Sequence, residues 1–406
     1  MVAAFRVSGA WWFLPVMLAI GVTLPVLNDV PLTGYPVADL SGAGIGLAYN
    51  APLLAAMTSY STRGWAQLHA TLRPRRRGAA VVAAGFWPLL AGGPAVGCLA
   101  VCVSAQTLPQ ERAGWLLMAT FVAVLAGAAA LGVALSWALP VVVAVPAAAV
   151  VAFAWVNYLP ATSSRELHQM SPMIDGFATT SQPSRTAVTA TLVLTVTLVL
   201  GVALAMTVTR WERLSRPLTS VAVTVAVALS VALGWLVVTR SSQELNLLAA
   251  EPRSTPLSCA EYSDIEVCLW PEEAGRRREI GATAARLNQQ LRAWDLPPIS
   301  TVTARPGEEG ATTVDAGRGL APGPMTLSMA AGYLDQRAGC QVTIGRDTEV
   351  LVVALALAAN PAEDGLTDVV SADSLAQARS RLDQAAADQA AWFRAGVSDL
   401  RCPPAS

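Results

Sequence analysis

Seven apolar stretches fill the first 240 residues of this chain, and none contains an Asp, Glu, Lys, Arg or His. They fall at about 10–28, 42–60, 79–104, 114–138, 140–159, 187–208 and 219–239. A bilayer core of about 30 Å is crossed by about 20 apolar residues in a helix, which satisfies its own amides where water is absent. The expected fold class is therefore a polytopic α-helical membrane protein of about seven transmembrane helices. Composition agrees: 14% of the residues are charged, against roughly a quarter in soluble domains. The fourth and fifth runs meet at Leu139-Pro140 with almost no loop. A broken or re-entrant pair is thus the alternative to two full spans. The first run is longer than a signal-peptide core and shows no evident cleavage site, so it reads as a retained helix.

Arginine placement gives the expected orientation. Arg6 precedes the first run, Arg63, Arg73, Arg75, Arg76 and Arg77 follow the second, and Arg210, Arg213 and Arg216 follow the sixth. With seven spans these groups fall on one side, the cytoplasmic one. Asp29, Asp39, Glu111 and the mixed segment 160–186 fall on the other. The expected location is the cell membrane, multi-pass, with a cytoplasmic N-terminus and an extracytoplasmic C-terminal domain. Domain bounds are read as 1–240 for the membrane part, 241–256 for a polar linker and 257–406 for the outer domain.

Several classes of chemistry are excluded by residue type. The chain has no Lys, so it carries no Walker A loop, which needs a Lys on the β- and γ-phosphates. Its two His, His69 and His168, lie outside every apolar run and outside the tail. That removes an intramembrane bis-His haem, an HExxH protease and a Ser-His-Asp triad in the tail. No catalytic constellation, metal site or cofactor is expected, and the protein reads as no enzyme. Runs free of ionisable residues argue against proton relays and charged-ring channels. Asn50 and Asn157 are the polar exceptions, and an interhelical hydrogen bond is the first explanation for each. Gly and Ala in 79–135, including "AGGPAVG" at 91–97, favour close helix packing.

In "SYSTRGWAQLHATLRPRRRG", 59–78, Trp65, Leu68 and Leu72 recur at helical spacing, and Arg73, Arg75, Arg76 and Arg77 follow at once. The reading is a short helix along the inner membrane surface, then a topology signal and anchor on anionic lipid. On the other side, Leu167, Met170, Ile174 and Phe177 within 163–180 have similar spacing. This arrangement resembles the type-2 ATP-binding-cassette (ABC) permeases, and 47–90 is similar in texture to those of actinobacteria. The resemblance covers about residues 1–216; a seventh helix and the outer domain are additions to the six-helix pattern. It implies a permease-like subunit of an ABC-type transport system, with export the expected direction. It implies a separate cytoplasmic ABC ATPase docking on Trp65, Leu68 and Leu72, and a second permease copy or a homologous permease as partner. The alternative is a non-transporting interaction or sensing protein whose outer domain binds a partner or ligand.

The tail reads as one α/β or α+β domain. "DIEVCLW" and "PPISTVTA" have strand character. Pro271, Glu272 and Glu273 open a helix to about Trp294 whose buried stripe is Ile280, Ala284, Leu287, Leu291 and Trp294. Arg276, Arg277 and Arg278 read as a solvated face. Further helices are expected at about 325–335, 347–360 and 371–396, the last with Leu375, Ala378, Leu382, Ala385 and Gln389 on one stripe. Cys259, Cys268, Cys340 and Cys402 form an even set without C-x-x-C knuckles, so disulfides are favoured over zinc. Three pairings are open; joining Cys259 to Cys268 closes the smallest loop and leaves Cys340 with Cys402. An acidic outer domain is no nucleic-acid partner.

Overall fold

The computed structural model describes residues 9–28, 30, 32–71, 89–159, 161–162, 164, 167, 179–211, 216–240, 250–315, 317, 320–340, 342, 345–360, 365–366, 369–400 and 402. The chain divides into two compact units, Met1–Arg253 and Ser254–Ser406. The break lies inside the polar stretch 241–256.

The first unit is helical apart from one short strand pair, β1 (Ser181–Pro183) and β2 (Ala250–Pro252): α1 (Ala10–Leu27), α2 (Pro36–Ala43), α3 (Leu47–Thr71), α4 (Gly92–Ser104), α5 (Arg112–Ala138), α6 (Val141–Phe153), α7 (Arg185–Trp211) and α8 (Arg216–Arg240). A helix thus stands on each of the seven apolar runs. Among the described residues, four helical stretches are long and apolar enough to cross a membrane: Ala10–Leu27, Pro36–Thr62, Arg112–Ala138 and Arg185–Leu204. Gly92–Ser104, Val142–Tyr158 and Thr224–Arg240 are shorter apolar helices. The molecule has the character of a helical membrane protein. The second stretch starts earlier than expected, because α2 runs through a 3-10 turn (Gly44–Gly46) into α3. Asp39 therefore lies within a helix and is 5% exposed. Leu139 and Pro140 make a sharp turn with extended backbone (ψ 156° and 148°), so α5 and α6 are separate helices. The residue before a proline is driven out of the helical region, which ends α5 there.

The bundle core forms around α3 and α5. On α5, Gly132 sits so close to α3 that an added methyl group would overlap the Ala55 carbonyl oxygen and Thr58 Oγ1. Thr58 Oγ1 lies within hydrogen-bond reach of the Ala129 carbonyl on α5 (3.1 Å) and of Leu54 on its own helix (2.9 Å). Small residues bring backbones together where lipid tails remove the hydrophobic drive between helices. "AGGPAVG" packs the same way: Gly93 faces Leu54 and Gly97 faces Leu125. Asn50 Nδ2 donates to the Met17 carbonyl on α1 (3.2 Å). Asn157, in the π-helical turn Ala154–Tyr158 that continues α6, donates to the Ala48 carbonyl on α3 (3.1 Å). Both asparagines bridge helices.

The second unit has a four-stranded sheet in the order β3 (Ser258–Tyr262), β4 (Ile265–Leu269), β5 (Thr301–Thr303), β6 (Thr312–Thr313). The first pair is antiparallel and the others parallel. Ser263 and Asp264 both have positive φ (49° and 67°), the backbone that a two-residue hairpin of this twist requires. A 3-10 turn (Pro271–Arg276) leads into α9 (Arg277–Ala293), which carries the chain across to β5. Its expected stripe from Ile280 to Trp294 is buried throughout. α10 (Pro322–Ala338), α11 (Arg346–Ala359), α12 (Ala372–Leu382) and α13 (Ala386–Ser398) complete the unit. Residues 350–357 of α11 are all buried, because a helix apolar all round must be enclosed. The helix expected over 371–396 is two helices. Gln389, expected on its stripe, instead donates from Nε2 to the Leu382 (2.6 Å) and Gln384 (2.8 Å) carbonyls and so closes the end of α12.

Replacing Gly132 with Leu should lower stability in detergent by about 2–3 kcal/mol, the upper range for overpacking a tight contact. Gly275→Ala is the control, since nothing lies within 4 Å of its added carbon. Equal melting temperatures for the two variants would contradict the close approach.

Candidate functional site

The segment expected to dock an ATPase is the continuation of a bundle helix. α3 runs unbroken from Leu47 to Thr71, so residues 61–71 extend the membrane helix in place of a separate surface helix. Trp65 and Leu68 are on its backbone; their side chains lie outside the described residues. Leu72, Arg73, Arg75, Arg76 and Arg77 lie outside them as well, as do His168, Met170, Ile174 and Phe177 of the expected outer segment.

The four tail cysteines form two disulfides, Cys259–Cys268 and Cys340–Cys402. The first ties directly opposed residues of β3 and β4; the second closes 62 residues. Glu266 lies beside Cys259 and Cys268, with its carboxylate and both sulfurs within 4.8 Å of one another. The sulfurs are bonded to each other, so neither is a thiolate ligand. Cys98 and Cys102 of α4 are free thiols. Of the three arginines expected on a solvated face, Arg278 is exposed, while Arg276 and Arg277 are half-buried and bonded. Arg276 bonds the Gly317 and Leu320 carbonyls and pairs with Glu279, tying the 305–324 loop down. Arg277 donates to the Ser258 carbonyl (2.9 Å), binding α9 to β3.

One polar junction of the first unit was not evident from the sequence. Residues Ser181–Pro183 (β1) pair antiparallel with Ala250–Pro252 (β2), and Gln182 Nε2 donates to Glu251 Oε1 (2.8 Å). Arg253 follows, its side chain fully buried. Its guanidinium lies 3.8 Å from the centre of the Tyr35 ring. Its Nη2 meets Glu111 Oε1 at 3.4 Å, its Nη1 reaches the Thr179 carbonyl (3.4 Å) and its amide donates to the Thr180 carbonyl (2.9 Å). Tyr35 precedes α2 and Glu111 precedes α5. Tyr35 is positioned by the turn before it: Asp39 accepts from Thr33 N (2.6 Å), Thr33 Oγ1 (2.8 Å) and Gly34 N (3.1 Å). Asp39 also lines a cleft of about 300 Å³ with Val26, Val30, Leu32 and Ser104. A buried charge that meets a carboxylate, a ring face and a carbonyl has its desolvation offset. One residue thus joins the starts of two helices, the segment before α7 and the chain leaving the bundle. The nearest sequence signal was an isolated Arg after a proline, which has no periodicity to reveal it.

Residues 267–402 match the family described as "Domain of unknown function (DUF7224)". The match begins inside β4 and ends at Cys402, within the second unit. No curated protein and no solved structure matches the chain.

In the second unit, burial raises the Asp335 carboxyl above its ordinary range, and the hydrogen bond from Val342 N (2.7 Å) only partly offsets this. A carboxyl raised by folding favours the protonated folded state. Its contribution is full below the unfolded value and is lost as pH rises through the folded value. Asp335→Asn, which keeps an acceptor for Val342, should flatten that fall, read as unit stability against pH by amide exchange of α11. An unchanged slope would contradict it. Removing Cys340 and Cys402 together as Ser should cost about 2–4 kcal/mol, up to the value that chain entropy alone gives for a 62-residue loop. The same α11 exchange measures it, and no change would show that the bridge does not constrain the unfolded chain.

Proposed function

We propose that this chain is the membrane-spanning, permease-like subunit of an ABC-type export system. A separate cytoplasmic ATPase energises it, and a second copy or a homologous permease completes the path. The seven apolar helices cross the membrane, α2 and α3 together making one span. The N-terminus is cytoplasmic, and the disulfide-bonded second unit is extracytoplasmic, where thiols oxidise and persist as bridges. The observation that carries the reading is α3. It packs against α5 and α6 and continues without a break to Trp65 and Leu68. A rod that reaches from the bundle centre to a docking surface transmits a push from closing ATPases to the helices around it. A membrane-anchored sensing protein is the second reading. It is favoured by the two disulfides and the Arg253 junction, which brace the outer part and the chain leading to it.

Gentle purification from the native host should retain a chain with ATP-hydrolysing activity. Trp65→Asp with Leu68→Asp should lose it while the bundle still folds. Absence of ATPase activity with the unaltered protein, or its survival in the double variant, would refute the proposal.

A further inference from the structure

We infer that the Arg253 junction is a latch: the outer ends of α2 and α5 and the β1–β2 clip open and close as one unit, and the chain entering the C-terminal unit moves with them. The inference rests on the membrane reading for the word "outer" but not on transport.

Three observations carry it. First, the junction's partners are remote in sequence: Tyr35, Glu111, Thr179, Thr180 and Arg253 belong to four separate segments. Second, β1 also packs against α2 and α5, so the clip and the arginine hold the same pair of helices. Third, the contacts are interdependent. Arg253 is the final residue of the first unit, and its backbone and side chain are both engaged. Moving α2 away from α5 would pull Tyr35 or Glu111 off the guanidinium and leave a buried charge short of partners, a costly intermediate. The low-cost alternative is concerted release, in which Arg253 withdraws to water and the three-residue ladder of the clip separates with it. Short two-stranded ribbons have little stability of their own, so the clip has no independent reason to stay closed. Contacts of this kind give two discrete arrangements, which is what a switching element needs. Ser254, the first residue of the C-terminal unit, is covalently joined to the latch. A pull or a bound partner acting on that unit therefore bears on the helix ends.

Amide hydrogen exchange on the full chain in lipid nanodiscs tests this without ATPase or substrate, so its outcome is separable from that of the permease reading. Glu111→Gln removes the charge at α5, and Tyr35→Leu removes the ring at α2. Each should speed exchange by roughly tenfold at three places together: 35–39, 111–115 and 250–253. The staple Gln182→Cys with Glu251→Cys, at directly paired positions, should slow exchange at 35–39 and 111–115, although neither segment is altered. Faster exchange confined to the substituted segment, or no effect of the staple beyond β1 and β2, would overturn the latch and leave only a local contact.

Discussion

The contact between α3 and α5 is the constraint on which the first unit rests. In a bilayer, lipid tails are as apolar as leucine, so helices hold together by close fit and by polar groups that reach across. Gly132 supplies the fit and Thr58 the reach. α6, α4 and α7 then pack around this pair, and two asparagines fix α1 and α6 to α3. None of these groups is ionisable. The centre of the bundle is specified by shape and by neutral hydrogen bonds, which is how runs without charges can still define one arrangement of helices.

The second unit solves a different problem. It lies in the polar half of the chain and needs its own core. α11 provides that core through its apolar stretch 350–357, enclosed by α9, α10 and α12. The sheet is small and its edge strand is exposed, and the Cys259–Cys268 bridge ties that edge to β4. The Cys340–Cys402 bridge holds the chain after α13 to the end of α10.

Helix positions in the first unit were legible because hydrophobicity in long runs is a strong signal. So was the stripe on α9, from Ile280 to Trp294, whose period is that of a helix. Asn50 and Asn157 were legible by contrast, being polar in apolar surroundings. What escaped was set by tertiary contact. β3, β6 and the β1–β2 pair are two to five residues long, too short to carry a period. The break between α12 and α13 depends on where the Gln389 amide points. Asp39 looked like an outer loop residue, yet it lies in α2 and holds the turn that sets Tyr35. The candidate docking residues Trp65 and Leu68 were legible as a periodic pair, but the helix that bears them proved to be an extension of α3. Arg253 escaped because Tyr35, Glu111 and Thr179 come to it only in three dimensions.

The chemistry of arginine has a consequence at this junction. A guanidinium does not give up its proton in any cellular compartment. Acetylation, which would remove the charge of a lysine at this place, is not open to Arg253. Nor can it be retired into the apolar interior once its partners leave. The only route out is geometric, with the helix ends parting and water taking their place. In a chain without lysine, the cation that joins these helix ends within the first unit is closed to acetylation.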